Sequence, residues 1–111
     1  MEEIWKEIED YPGYYVSNKG RVKSMLGNGH SNYKGEKILK PTYNKKGYPH
    51  VGLWKNNRVQ KKLVHRLVAY AFLENPLRYP TVDHIDRNKE NNNLENLRWA
   101  TYSQQNKNKS H

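Results

Sequence analysis

Through the first sixty positions apolar and polar residues tend to alternate with a period of two, and after them the period lengthens to that of a helix. IWKEI alternates, and YPG follows it as a turn. YYVS and RVKSM flank NKG, which reads as a hairpin. Beyond a loop rich in Gly, Asn and Ser (LGNGHSNYKGE), the runs KILKPTY, YPHVGLWK and RVQKKLV are separated by NKKG and NN. They predict an antiparallel meander with lysines at its turns. Pro41 and Pro49 lack an N–H and belong at an edge or at the start of a strand. Val64, Leu67, Val68, Ala71 and Phe72 then fall at i, i+3, i+4, i+7 and i+8, one stripe of a helix running through VHRLVAYAFLEN until Pro76 stops it. That helix can cover the apolar face of the meander. His65, near its start, reads as a packing or capping histidine in preference to a functional one.

NPLRYP makes a rigid connector. TVDHID reads as a strand, RNKENNNLEN as a long polar loop, and LRWATY as a returning strand with Leu97, Trp99 and Thr101 on one face. Ser103 is placed to cap a short polar helix, SQQNKNKSH. So short a terminal helix is marginal alone and needs Trp99 and a further bridge, such as a metal ion, to hold it. The fold class expected is α+β: a small antiparallel β-meander with a covering helix, then a C-terminal ββα unit. The chain divides into a β-rich module at 1–62, a linking helix at 63–76 and the ββα unit at 77–111. No internal repeat is present.

Composition adjusts this picture in two ways. Leu, Ile, Val and Phe make up only about a fifth of the 111 residues, while Tyr numbers nine and Trp three, so a thin, Tyr-rich core is expected. Cysteine is absent, which excludes disulfides, thiolate zinc sites and a Cys nucleophile and leaves His, carboxylate, amide or water as metal ligands. No apolar run is long enough to span a bilayer and the acidic N-terminus has no signal-peptide character, so an intracellular protein with no membrane partner is expected.

The net charge of +9 is unevenly spread. Residues 11–60 hold ten Lys/Arg against one acid, Glu36, with Tyr, Trp and Asn interspersed. A polyanion is the natural partner, and nucleic acid outweighs a basic face kept only for solubility.

Against that background VDHIDRNKENNNLENLRW gathers four acids, Asp83, Asp86, Glu90 and Glu95, around one His. Cleaving a phosphodiester needs a base to activate water, a cation to neutralise developing charge, and something to hold the base in place. Neutral His84 can be the base at pH 7. The carboxylate of Asp83 can bind a hard Mg²⁺ or Mn²⁺, and an Asn further on can lock the loop without adding charge. Asp86 and Asn91, Asn92 and Asn93 read as turn formers, and Asn88 as a backbone hydrogen-bonder beside the Asp86 turn. Arg87, Lys89 and Arg98 flank the site as phosphate holders or as simple solvated charge.

Asp83-His84, then Asn96 twelve positions after His84, then an amide residue on the following helix, resembles the pattern of HNH endonucleases, in particular the phage and intron-encoded homing branch. Upstream, EIWKEIEDYPGYYVSNKGRVKS resembles the nuclease-associated modular DNA-binding motif (NUMOD) at the front of such enzymes, and VHRLVAYAFLENP the helix linking the two. The resemblance implies a ββα-metal unit and a metal-dependent endonuclease hydrolysing DNA phosphodiester bonds, with one ββα unit nicking one strand. It implies His84 as general base, Asp83 as ligand to a single divalent metal, Asn96 as the residue orienting the catalytic loop, and Gln105 or Asn106 as the second protein ligand. The front module would lay β-structure along double-stranded DNA. Lys19, Arg21 and Lys23 alternate along one strand and would form a basic face, while Lys45, Lys46, Lys55, Asn56, Asn57 and Arg58 sit in turns able to reach phosphates. A monomer or weak homodimer is expected. Longer members carry a C-terminal helical DNA-binding module; this chain ends after the nuclease helix, which implies looser site preference or a partner that supplies it. Two competing readings are a DNA-binding protein with a decayed or purely structural HNH motif and an RNA-binding protein stacking bases on Tyr, though no RNP signature is present.

Overall fold

A computed structural model describes residues 2–25 and 36–103. Four strands, β1 (Trp5–Glu7), β2 (Tyr14–Ser17), β3 (Val22–Ser24) and β4 (Lys37–Ile38), form one antiparallel sheet in sequential order. Strands β5 (Thr42–Tyr43), β6 (Pro49–Lys55) and β7 (Arg58–Leu63) form a second, and β8 (Thr81–His84) pairs with β9 (Leu97–Ala100) in a third. The α+β class holds, but the meander is two sheets. KILKPTY, expected as one strand, breaks between them: Lys37–Ile38 closes the first sheet and Thr42–Tyr43 opens the second. Pro41 lies in the break, where its fixed φ and missing N–H cost no ladder bond. Pro49 is the first residue of β6, the one position in a central strand where proline is tolerated.

The turns form for local reasons. Asn44 Oδ1 accepts from Lys46 N at 3.0 Å and Tyr48 N at 2.9 Å, shaping the turn between β5 and β6. Asn56 and Asn57 both take positive φ (54° and 62°), the conformation of a two-residue hairpin turn that matches strand twist.

Strand β7 passes directly into helix α1 (Val64–Phe72), whose capping residue Leu63 offers no side-chain hydrogen bond. The helix ends sooner than Pro76 alone requires. Leu73 is already extended, and its carbonyl accepts from Trp99 Nε1 at 3.2 Å.

One continuous apolar cluster joins Val16 and Val22 of the first sheet, Val51 and Leu53 of the second, Leu67 and Val68 of α1, and Val82 and Leu97 of the β8–β9 hairpin. This core is led by Val and Leu. Tyr11 and Tyr14 are its only buried aromatics among the described residues, with their hydroxyls bonded to Gln60 Oε1 (2.6 Å) and Trp54 N (3.1 Å). Tyr43, Trp54, Tyr70 and Tyr102 are exposed, so the aromatics contribute less to the interior than composition suggested. Among the described residues no helix is long and apolar enough to cross a membrane.

Candidate active site

Strand β8 is buried along its whole length, which brings two ionisable side chains into the interior side by side. Asp83 lies directly across from Arg98 on β9, and His84 across from Leu97. Asp83 Oδ2 accepts from Arg98 Nε at 3.2 Å and Nη2 at 3.0 Å. A carboxylate taken out of water needs such a partner, and Arg98, half exposed, supplies it from the solvent side.

His84 is enclosed by three other segments. Its Nε2 lies 2.7 Å from Asn92 Oδ1. An amide oxygen can only accept, so Nε2 carries the proton and Nδ1 is the lone-pair nitrogen of the neutral ring. Tyr48, entering β6, stacks on the imidazole at 5.9 Å and 30°, and His65 of α1 packs at 4.8 Å and 54°. His65 is itself buried, and its Nδ1 is the buried side-chain polar atom left without a hydrogen-bond partner among the described residues. Burial, helped by the neighbouring His84, pushes its pKa down to about 3, so at neutral pH it is an uncharged wall.

The loop between β8 and β9 is tied by amides. Asn96 Oδ1 accepts from Asp86 N at 3.0 Å, while its Nδ2 donates to Asp86 Oδ1 and to Asn91 O, both at 2.8 Å. Asp86 Oδ2 accepts from Asn91 Nδ2 at 2.8 Å, and Asn88 N donates to Oδ1 at 2.8 Å. These bonds, that from Asn91 foremost, hold the Asp86 carboxyl below its usual range. Asp86 and Asn91 thus shape the loop as expected of turn formers. Asn92 does not: its side chain turns inward onto His84.

The basic residues of the front module are less available than the sequence implied. Lys19 lies in the turn before β3, and only Lys23 of the three alternating residues is within that strand. Arg21 is bonded to Glu3, whose carboxyl that guanidinium lowers to about 2, and Lys23 lies 3.3 Å from Glu36 and 4.2 Å above the Trp5 ring. The face is basic but partly neutralised by its own acids. Lys45 and Lys46 are exposed on the turn before β6; Asn56, Asn57 and Arg58 are exposed at the β6–β7 turn, with Lys55 half-buried and 5.4 Å from the Tyr11 ring. Lys89 Nζ donates to Lys46 O at 2.7 Å and lies 4.9 Å over Tyr48, joining the loop to the second sheet. Arg87 is exposed at a positive φ of 66°.

Helical conformation after β9 begins at Tyr102, so Ser103 is inside the helix start and cannot cap it. Gln105 and Asn106 lie outside the described residues. No cluster of three His, Asp or Glu able to hold a metal occurs among the described residues. The donor set in view is one carboxylate, Asp83. Carboxylate oxygen suits a hard divalent cation.

Sequence reasoning passed over Asn92 and Tyr48, whereas His65 packs in the interior, as expected of a packing histidine. For His65 a signal existed: with Val68, Ala69 and Phe72 it falls at i, i+3, i+4 and i+7, a second apolar stripe adjoining the first. Asn92 carries no such mark within its run of three.

A two-stranded hairpin presenting an Asp-His pair and crossed by an amide-locked loop is the ββ portion of the ββα class of nuclease folds. Comparison with known proteins makes this specific. The NUMOD4 motif matches residues 3–54 and the HNH endonuclease family residues 62–107, so the chain carries an HNH endonuclease domain with a NUMOD4 motif in front. It is 44% identical over 98 residues to the DNA endonuclease I-HmuI of Bacillus phage SP01, covering 87% of this chain and 52% of that protein. An uncharacterized HNH endonuclease, L245, of Acanthamoeba polyphaga mimivirus is 41% identical over 97 residues, covering 87% of this chain and 27% of the relative. The solved structure of I-HmuI described for DNA binding and cleavage superposes with a TM-score of 0.79 at 41% identity, over 97% of this chain and 57% of that one. The chain therefore spans between about a quarter and about half of these curated relatives.

Proposed function

We propose that this chain is a metal-dependent DNA endonuclease that hydrolyses phosphodiester bonds and nicks one strand. The observation that carries the reading is the adjacency of Asp83 and His84 on a buried strand, with His84 held through Nε2 so that Nδ1 is its basic nitrogen. In this reading His84 takes the proton of the attacking water at Nδ1. Asn96, through its bonds to Asp86 and Asn91, keeps the loop closed around that ring. Asp83 holds one Mg²⁺ or Mn²⁺ together with Gln105 or Asn106. The chemistry such a cation supplies when bound is neutralisation of charge on the phosphate and on the 3′ oxygen that leaves.

Residues 1–62 act as the module that lies along double-stranded DNA, 63–76 as the linking helix and 77–111 as the nuclease unit. Lys19, Arg21, Lys23, Lys45, Lys46, Lys55, Asn56, Asn57 and Arg58 contact DNA from the front, and Arg87, Lys89 and Arg98 from the nuclease loop and hairpin. One ββα unit per chain fits a monomer or weak homodimer that makes single-strand breaks, acting inside the cell, in the host cytoplasm if phage-encoded. The test is supercoiled plasmid with Mg²⁺ or Mn²⁺, with and without EDTA, for wild type and His84→Ala. Open circles are expected from wild type with metal only. Plasmid that is shifted on a gel yet left intact by wild type would instead make this a DNA-binding protein with a purely structural HNH motif.

A further inference from the structure

The turn that joins β2 to β3 in the front module reaches across the molecule and touches the residue that holds His84. Gly20, at φ +83°, packs so closely on Asn92 that a Cβ there would lie 2.7 Å from Asn92 O and 2.8 Å from Asn92 Cβ. Both distances are below any real contact, so every other L-residue at position 20 must displace the turn or Asn92. The same turn accepts a second tie, from Leu94 N to Asn18 O at 2.7 Å. Asn18 is itself buried and fixed to the start of the chain, its Oδ1 accepting from Ile4 N at 2.9 Å and its Nδ2 donating to Glu2 O at 3.0 Å. Segment 92–94 is thus pressed from one side by a turn anchored in the first sheet, while on its other side Asn92 meets the imidazole.

We propose that this turn positions the base of the nuclease site: Gly20 and Asn18 seat Asn92, and Asn92 sets the orientation and tautomer of His84. The proposal rests on the reading of His84 as base. Asn92 is a positioning residue and touches no reacting atom. The physical need is specific. Ring packing against Tyr48 and His65 does not by itself distinguish the two ring nitrogens: the imidazole could rotate by half a turn about χ2 or carry its proton on Nδ1, and in either state the lone pair is misplaced. The acceptor at 2.7 Å from Nε2 excludes both. Because that acceptor is seated by the front module, the part of the chain that meets DNA and the part that cuts it share one rigid connection.

The experiment uses the full chain with ¹⁵N-labelled histidine and no metal, followed by single-turnover nicking at saturating protein, with DNA affinity measured alongside because Lys19 and Arg21 flank Gly20. In wild type the His84 ring is expected as the Nε2–H tautomer with a slowly exchanging proton. Asn92→Asp, which keeps an acceptor, is expected to retain it. Asn92→Ala is expected to give a mixture of tautomers and nicking slower by about 10- to 100-fold, the usual scale for losing an orienting partner. Gly20→Ala and Asn18→Ala are expected to disturb the same resonance without altering any residue that touches His84; if Gly20→Ala does not fold, Asn18→Ala decides. An Nδ1–H tautomer in wild type, or wild-type nicking by Asn92→Ala, overturns the role of Asn92. Folded turn variants with an unchanged His84 signal and rate overturn the role of the turn. If His84→Ala nicks like wild type, the base reading itself fails; an inactive His84→Ala beside an unaffected Asn92→Ala removes only this inference.

Discussion

The imidazole of His65 packs against that of His84 with ring centroids 4.8 Å apart and planes tilted by 54°, one ring from α1 and one from β8. Both rings are buried, and burial makes the His65 ring hard to charge, which has a consequence for stability.

Folded, His65 remains neutral down to about pH 3, whereas in the unfolded chain it takes a proton near 6.5. Below pH 6.5 the unfolded state therefore binds the extra proton, and stability falls as pH falls. Its slope approaches about 1.4 kcal/mol per pH unit. Glu3, lowered from 4.5 to about 2, adds its own loss only below pH 4.5, which leaves pH 4.5–6.5 clear of it. His65→Phe removes the titration at similar size. Urea unfolding at pH 7 and pH 5 is expected to show the variant gaining about 1 to 2 kcal/mol on wild type at the lower pH. Parallel curves for the two proteins would contradict this account.

Arg98 donates twice to Oδ2 of Asp83, so a cation held by that carboxylate, as proposed, would compete with the guanidinium. Arg98→Gln removes a competing charge that is half exposed and so worth no more than about 1 kcal/mol. Mn²⁺ is expected to bind up to about fivefold tighter to the variant by EPR titration, in the absence of DNA. Weaker binding would mean that the guanidinium serves chiefly to orient the carboxylate.

Glu3 neutralises Arg21 on the first sheet. Glu3→Gln is expected to tighten binding to duplex DNA at low salt and to steepen the dependence of log K on log salt by about one unit, as one more phosphate contact becomes available. An unchanged slope would place Arg21 away from the DNA.

Asn96 donates to the Asp86 carboxylate at 2.8 Å. In Asn96→Asp an acceptor faces an acceptor, so the loss of stability at pH 7 should exceed that of Asn96→Ala, which on the scale of a buried hydrogen bond left unmade is about 1 to 3 kcal/mol. The new carboxyl is forced toward its protonated form, with a folded pKa above its unfolded one. The Asp variant should therefore recover relative to the Ala variant as pH is lowered from 7 toward 5, a crossing that thermal melts would reveal.

Much of this was legible in the chain. Turn chemistry at NKG, NKKG and NN and the stripe from Val64 to Phe72 specify hairpins and a helix through local rules, and those elements formed. The Asp83-His84 pair and Asn96 stood out because their order and spacing resemble the HNH endonuclease pattern. Asn92 did not, because its meaning lies in what it touches: an Asn in a run of three is a turn former until a tertiary contact turns one inward. The split of the meander at Pro41 had a visible cause, but whether a proline ends a strand or only borders one depends on which sheet the next strand joins.

Family boundaries place one motif at 3–54 and another at 62–107, as if two parts had been joined end to end. Among the described residues the interior contains no such joint, since Val16, Leu53, Val68 and Leu97 belong to one apolar cluster. A recombination event that exchanged either part for a distant cousin would have to match the other's buried surface as well as its reading frame. The two motifs are therefore expected to be inherited as a pair, and to diverge together.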